Sequence, residues 1–119
     1  MNRSVLIVDD DPAFRRLAYR MLLAAGLTVT GEAGDVAEAI VAANQCRPDA
    51  VLVDLHLPDG NGIDLARELV ALSWRPRVLL TSSDEVYGAL VSTDDEELQF
   101  VPKEDLPNAP LGTLLGAQH

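Results

Sequence analysis

Val51-Leu52-Val53-Asp54-Leu55-His56-Leu57-Pro58-Asp59-Gly60-Asn61-Gly62 runs from unbroken apolar residues to one carboxylate and then into turn formers. Ala50 to Val53 carries no polar side chain, so both of its faces must be covered. That is the pattern of a strand inside a parallel sheet rather than one with a wet face. The run ends at Asp54, and the following Pro, Gly and Asn residues continue neither a strand nor a helix.

The same design recurs on both sides. Val5-Leu6-Ile7-Val8 ends at Asp9, Leu27 to Thr30 is a weaker run rich in β-branched residues, Val78-Leu79-Leu80 ends at Thr81, and Phe100-Val101 runs towards Lys103. Helical spacing fills the gaps. Phe14, Leu17, Ala18, Met21 and Leu22 share one predicted face, with Asp11 as cap, Pro12 in the first turn and Gly26 as the stop. Asp35 with Glu38 reads as a cap before Val36, Ala39, Ile40 and Ala43. Leu65, Ala66, Leu69, Val70 and Leu72 predict a third helix stopped before Pro76. A fourth, around Glu85 to Val91, is weakened by Gly88, and a fifth, Leu111 to Ala117, is short and contains Gly112. Val86 to Glu97 is therefore expected to be mobile or only partly helical. Five strand–helix units predict a doubly wound α/β domain with a parallel central sheet.

The chain has 119 residues, which suits one domain over 1–119, and its apolar content allows an ordinary core. A net charge of -10 argues against nucleic-acid binding by this domain, because such binding rests on Lys and Arg. Cys46 cannot make an internal disulfide, and no stretch approaches membrane-spanning length or a signal peptide, so a cytoplasmic location is expected. Cys46 and Trp74 read as packing residues, and Asp94 to Glu97 as a solvated face.

The chemistry collects at strand ends: Asp9-Asp10-Asp11, Asp54, Thr81-Ser82-Ser83 and Lys103. In open α/β sheets such ends share one edge, where ligands bind. Several carboxylates crowded there repel unless a cation neutralises them, and Mg²⁺ prefers oxygen ligands of this kind. A carboxylate flanked by such an ion, a lysine and a hydroxyl suits phosphoryl transfer.

The Val-Asp-Asp of strand 1, Asp54-x-x-Leu-Pro-x-x-x-Gly62, Thr81-Ser82-Ser83 and Phe100-Val101-Pro102-Lys103 occur in order along the whole chain. Together they resemble the receiver domain of two-component response regulators, the CheY-like superfamily. The resemblance implies a flavodoxin-like (βα)5 fold with a five-stranded parallel sheet in the order 2-1-3-4-5. It implies a phosphorelay switch rather than a turnover enzyme, one that promotes its own phosphorylation and dephosphorylation. Asp54 would be the phosphoacceptor. Asp10 would bind Mg²⁺ (or Mn²⁺) directly, Asp9 mainly through a water, and the His56 backbone carbonyl would complete the protein ligands with Asp54. Thr81 and Lys103 would bond the phosphoryl group, and Phe100 would change rotamer with Thr81. The phosphodonor would be a sensor histidine kinase or a histidine phosphotransfer protein. The output would be a protein target or a homodimer through the helix 4, strand 5 and helix 5 face. His56 and Ser83 are expected to tune dephosphorylation.

Other readings stay open at this point. Asp9 to Asp11 could be a cap and turn, Thr81 and Ser82 turn residues, and Lys103 a surface lysine. Asp-x-Asp at Asp9 to Asp11 also suits a haloacid-dehalogenase-type phosphatase, and a non-phosphorylated adaptor would keep the same fold. The chain departs from the family where Lys103 is followed by Glu104 instead of proline, Pro102 preceding it, and in the acidic stretch before strand 5. With no output domain after helix 5, it reads as a stand-alone receiver, the alternative being a truncated regulator.

Overall fold

The computed structural model describes residues 3–83 and 98–116. In chain order the elements are β1 (Ser4–Val8), α1 (Pro12–Ala24), β2 (Thr28–Ala33), α2 (Val36–Cys46), β3 (Ala50–Asp54), a hairpin of β4 (His56–Leu57) and β5 (Gly60–Asn61), α3 (Gly62–Val70), β6 (Arg77–Thr81), β7 (Leu98–Phe100), a 3-10 helix over Lys103–Asn108, and α4 (Leu111–Gly116). The large sheet has the order β2-β1-β3-β6-β7, all parallel. Without the hairpin strands this is the expected 2-1-3-4-5 order of a flavodoxin-like α/β fold.

Alternate residues of the central strands feed two cores. Leu6, Val8, Val51, Val53, Val78 and Leu80 pack with α2 and α3. Val5, Ile7, Leu52 and Leu79 pack with α1 and α4. Burying a Leu, Ile or Val fully contributes roughly 1.5–3 kcal/mol. More than a dozen such side chains among the described residues are buried to this degree, so the cores, rather than the charged site, hold the fold.

Helix ends follow their side chains. Asp11 Oδ1 accepts the Ala13 N–H at 2.9 Å, with Pro12 at the first helical position. At the other end Gly26 takes φ +85°, and the Gly26 and Leu27 amides return to Leu23 and Leu22. Asp35 caps α2 by accepting from Glu38 N. The Glu38 carboxylate, however, takes the Gly34 amide instead of closing a reciprocal box on Asp35.

Several expected boundaries move. β2 runs on through Gly31-Glu32-Ala33, with a register irregularity opposite Val5 and Leu6, because pairing with β1 outweighs the low strand preference of Gly and Glu. α3 begins at Gly62 because Asn61 Oδ1 accepts the Ile63 N–H at 2.6 Å. β7 begins at Leu98, two residues before the expected Phe100. The 3-10 helix after Pro102 was not expected at all. Leu17, placed on the buried face of α1, is about half exposed, since the stripe centres on Phe14, Ala18 and Leu22 and leaves Leu17 at its margin. Cys46 is exposed at the end of α2 rather than packed. Trp74 does pack: Arg47 lies 4.5 Å over its ring and its Nε1 donates to Pro48 O. The expected fourth helix and the Val86 to Glu97 stretch lie outside the described residues.

Candidate functional site

Parallel register brings the strand ends together. Val8 stands beside Val53 and Asp54 beside Thr81. Asp9 and Asp10 leave β1 where Asp54 closes β3, and a ligand oxygen from each of Asp9, Asp10 and Asp54 lies within 4.8 Å of the others. Asp9 and Asp54 are buried, and Asp10 is exposed.

Asp9 is held on every side. Its Oδ1 accepts the Asp11 N–H at 2.8 Å, its backbone carbonyl accepts from Arg15 Nη1 at 2.6 Å, and Lys103 Nζ stands 2.8 Å from Oδ2. That last contact is a charge contact without hydrogen-bond alignment, which leaves Oδ2 a lone pair to offer. Arg15 is itself braced by Glu32 at 3.0 Å. Lys103 enters because its own amide bonds Ser82 O, and its ammonium lies 4.2 Å over the Phe14 ring, a cation–π contact. From there it reaches Asp54 Oδ2 only at 3.9 Å.

Asp54 is consequently under-compensated. Burial first, then the Asp9 charge, pushes its carboxyl from 3.8 up to about 6, against the pull of Lys103 and of a hydrogen bond from the His56 backbone N–H. Thr81 Oγ1 is buried beside it in register and finds no hydrogen-bond partner.

The loop after β3 is shaped by close approach. A Cβ on Gly62 would fall 2.3 Å from the Asp54 carbonyl oxygen and 2.8 Å from Leu55 Cα, so only glycine fits. Gly62 N also donates to Leu55 O. In the hairpin His56 pairs with Asn61 and Leu57 with Gly60, which puts Pro58 and Asp59 at the tip. Asp59 accepts the Val36 and Ala37 amides, and the Val36 N–H above all holds its carboxyl below the usual range.

An acidic trio at one sheet edge, two of its members buried, a lysine just past the edge strand β7 and an unpartnered threonine agree with the sequence match. Residues 5–108 match the response regulator receiver domain. The chain belongs to this family. The DNA-binding response regulator MtrA of Mycolicibacterium smegmatis is 40% identical over 109 residues, covering 87% of this chain and 47% of MtrA. The transcriptional activator DevR/DosR of Mycobacterium tuberculosis is 44% identical over 80 residues, 66% of this chain and 37% of its own. The chain thus spans about half the length, or less, of these relatives. Among solved structures, the receiver domain of NarL from M. tuberculosis superposes with a TM-score of 0.75 at 29% identity, covering 98% of both chains. PhyR from Brucella abortus shares the fold, with a TM-score of 0.79 at 24% identity.

Within this receiver, Asp9, Asp10, Asp54, Thr81 and Lys103 converge as their positions at strand ends suggest. Phe100 pairs with Leu80 in register and packs, partly buried, against the α2/α3-side core. His56 and Ser83 are both exposed, each two residues past the paired Asp54 and Thr81. No helix among the described residues is long and apolar enough to cross a membrane. Sequence reasoning missed Phe14 under Lys103, Arg15 behind Asp9, and Asp59 on α2. Asn61 before Gly62 did carry a readable signal, a capping residue ahead of a helix.

Proposed function

We propose that this receiver is a phosphorylation switch in which Asp54 accepts a phosphoryl group from a phosphohistidine on a sensor kinase or phosphotransfer protein. The observation that carries the reading is the gathering of Asp9, Asp10 and Asp54 within 4.8 Å beside Lys103. Three hard oxygen donors, two of them buried, fit Mg²⁺ or Mn²⁺. Asp9, Asp10, Asp54 and the His56 carbonyl would hold the ion, which when bound neutralises carboxylate and phosphoryl charge.

An Asp54 oxygen attacks phosphorus in line, a P–O bond forms, the donor's P–N bond breaks, and the leaving imidazole keeps the electron pair and takes a proton. Asp54 suits the nucleophile better than Asp9, because the Asp9 carboxylate is engaged by the Asp11 amide and Lys103. Thr81 Oγ1 and Lys103 Nζ supply bonds to the phosphoryl oxygens that the carboxylate alone does not use. Those added bonds favour an arrangement of β6 and β7 that includes Phe100, and the change is read at the surface near β7 and α4 by a protein target or a second copy. His56 and Ser83, exposed two residues past Asp54 and Thr81, would set how readily water reaches the acyl phosphate.

Intact mass after incubation with Mg²⁺ and acetyl phosphate tests the reading. Gain of one phosphoryl group, abolished by Asp54→Asn and by a chelator, is expected. No gain in folded parent protein sinks it and favours an adaptor role. Retention of the gain in Asp54→Asn with loss in Asp9→Asn would point to the phosphatase-like alternative.

A further inference from the structure

We propose that Asp59 is a positioning residue for the cation site, acting through the β4–β5 hairpin. The inference rests on the reading of Asp9, Asp10, Asp54 and the His56 carbonyl as cation ligands. His56 lies at the base of the hairpin, opposite Asn61, and Asp59 lies at its tip. The tip is not left to solvent. Asp59 Oδ1 accepts the Val36 amide at 2.7 Å and Oδ2 the Ala37 amide at 3.1 Å, so one carboxylate bridges the hairpin and the first turn of α2. A Cβ on the neighbouring Gly60 would meet Val36 Cγ2 at 3.0 Å, so the tip also seats closely on that helix.

The base is fixed separately. Asn61 caps α3, and Gly62 lies against the Asp54 carbonyl. A two-strand hairpin of this length is marginal alone. With its base set by Gly62 and its tip by Asp59, the His56 peptide between them, whose N–H bonds the Asp54 carboxylate, has little freedom to turn. The Asp35 carboxylate takes only the Glu38 N–H, so Asp59 is also the cap of the Val36 and Ala37 amides, a role that an acceptor from the helix's own loop could fill. What Asp59 adds is the link between two loops.

The test is Mg²⁺ affinity by calorimetry, with amide exchange at Val36 and Ala37 followed by NMR, in the parent, Asp59→Ala and Asp59→Asn. Asn keeps an acceptor oxygen for one of the two amides and removes the charge. Asp59→Ala is expected to weaken Mg²⁺ binding about threefold or more. That is less than the roughly tenfold or greater loss when a partner bonded directly to a metal ligand is removed. Asp59→Asn should recover most of the loss. Parent-like Mg²⁺ affinity in Asp59→Ala, with faster exchange at Val36 and Ala37, would reduce Asp59 to a helix cap and overturn the inference. Loss in Asp59→Asn equal to that in Asp59→Ala would assign the effect to charge and also overturn it. A parent that binds no Mg²⁺ removes the cation-site reading itself, a result distinct from either.

Discussion

Lys103 Nζ lies 2.8 Å from Asp9 Oδ2 and 3.9 Å from Asp54 Oδ2, so the ammonium is committed to the strand-1 carboxylate and only leans on the strand-3 one. Both carboxylates are buried, and removing the lysine leaves two negative charges without that partner. Lys103→Met should lower stability by about 2–3 kcal/mol at pH 7 in a chelator, somewhat below the loss for a fully buried pair because Lys103 is partly exposed. At pH 5 the gap should narrow, since Asp54 can then take a proton. Urea unfolding at both pH values checks this. An equal loss at pH 5 and pH 7 would remove Asp54 as a source of the effect and leave it to the Asp9 contact and the packing on Phe14.

Asp54 itself sets a pH dependence with a definite sign. Its carboxyl titrates at about 6 in the folded chain against 3.8 for an ordinary aspartate. Between those values the folded state holds a proton that the unfolded state has released, so this group's contribution to stability falls as pH rises from about 4 to about 6, and stays low above. The loss is about 1–2 kcal/mol once screening at the open side of the site is allowed for. Asp54→Asn should therefore be more stable than the parent by that amount at pH 7 without divalent ions, and nearly equal to it near pH 4. A parent and variant with parallel stability–pH curves would remove Asp54 as the source. Added Mg²⁺ should close the pH 7 gap by stabilising the parent alone.

The strand ends were legible because a parallel sheet leaves a plain signature: apolar runs closed by Asp9, Asp54 and Thr81, with Lys103 downstream. The order of the motifs then gave the topology. Contacts between elements distant in sequence left no such trace. Nothing around Phe14 marks it as the surface under Lys103, because a buried aromatic at helical spacing is equally a core residue. Nothing in Pro58-Asp59 says that the carboxylate will reach helix α2, because turn aspartates commonly bond their own loop. The extension of β2 through Gly31 and Glu32 was hidden for a related reason. Edge pairing with β1 supplies the ladder that local preference does not.

Gly62 and Gly26 separate two reasons for glycine. Gly26 has φ +85° with open space around it, and Gly26→Ala should cost about 1 kcal/mol, the backbone penalty alone. Gly62 lacks the positive φ, but its missing side chain admits the Asp54 carbonyl. Gly62→Ala forces backbone to move and should cost about 2–3 kcal/mol or more, as overpacking does. It should also disturb the Asp54 loop. Thermal or chemical unfolding ranks the two, and a smaller loss for Gly62→Ala than for Gly26→Ala would contradict the close approach.

Thr81 offers a case in which stability and function should part. Its hydroxyl is fully buried and unpartnered in the unphosphorylated protein, a state that costs rather than contributes. Valine has nearly the same shape without the unmet hydroxyl, so Thr81→Val should leave stability unchanged or raise it by up to about 1 kcal/mol. The phosphoryl oxygen that the hydroxyl would serve then loses its partner, and acetyl-phosphate-driven phosphorylation should slow while the fold holds. Thr81→Ser restores the hydroxyl at the cost of a methyl group, so it should be less stable than Thr81→Val and faster to phosphorylate. The two variants thus order oppositely in unfolding and in phosphorylation rate. If both measurements ranked them the same way, the hydroxyl would be serving the fold and not a bound phosphoryl group.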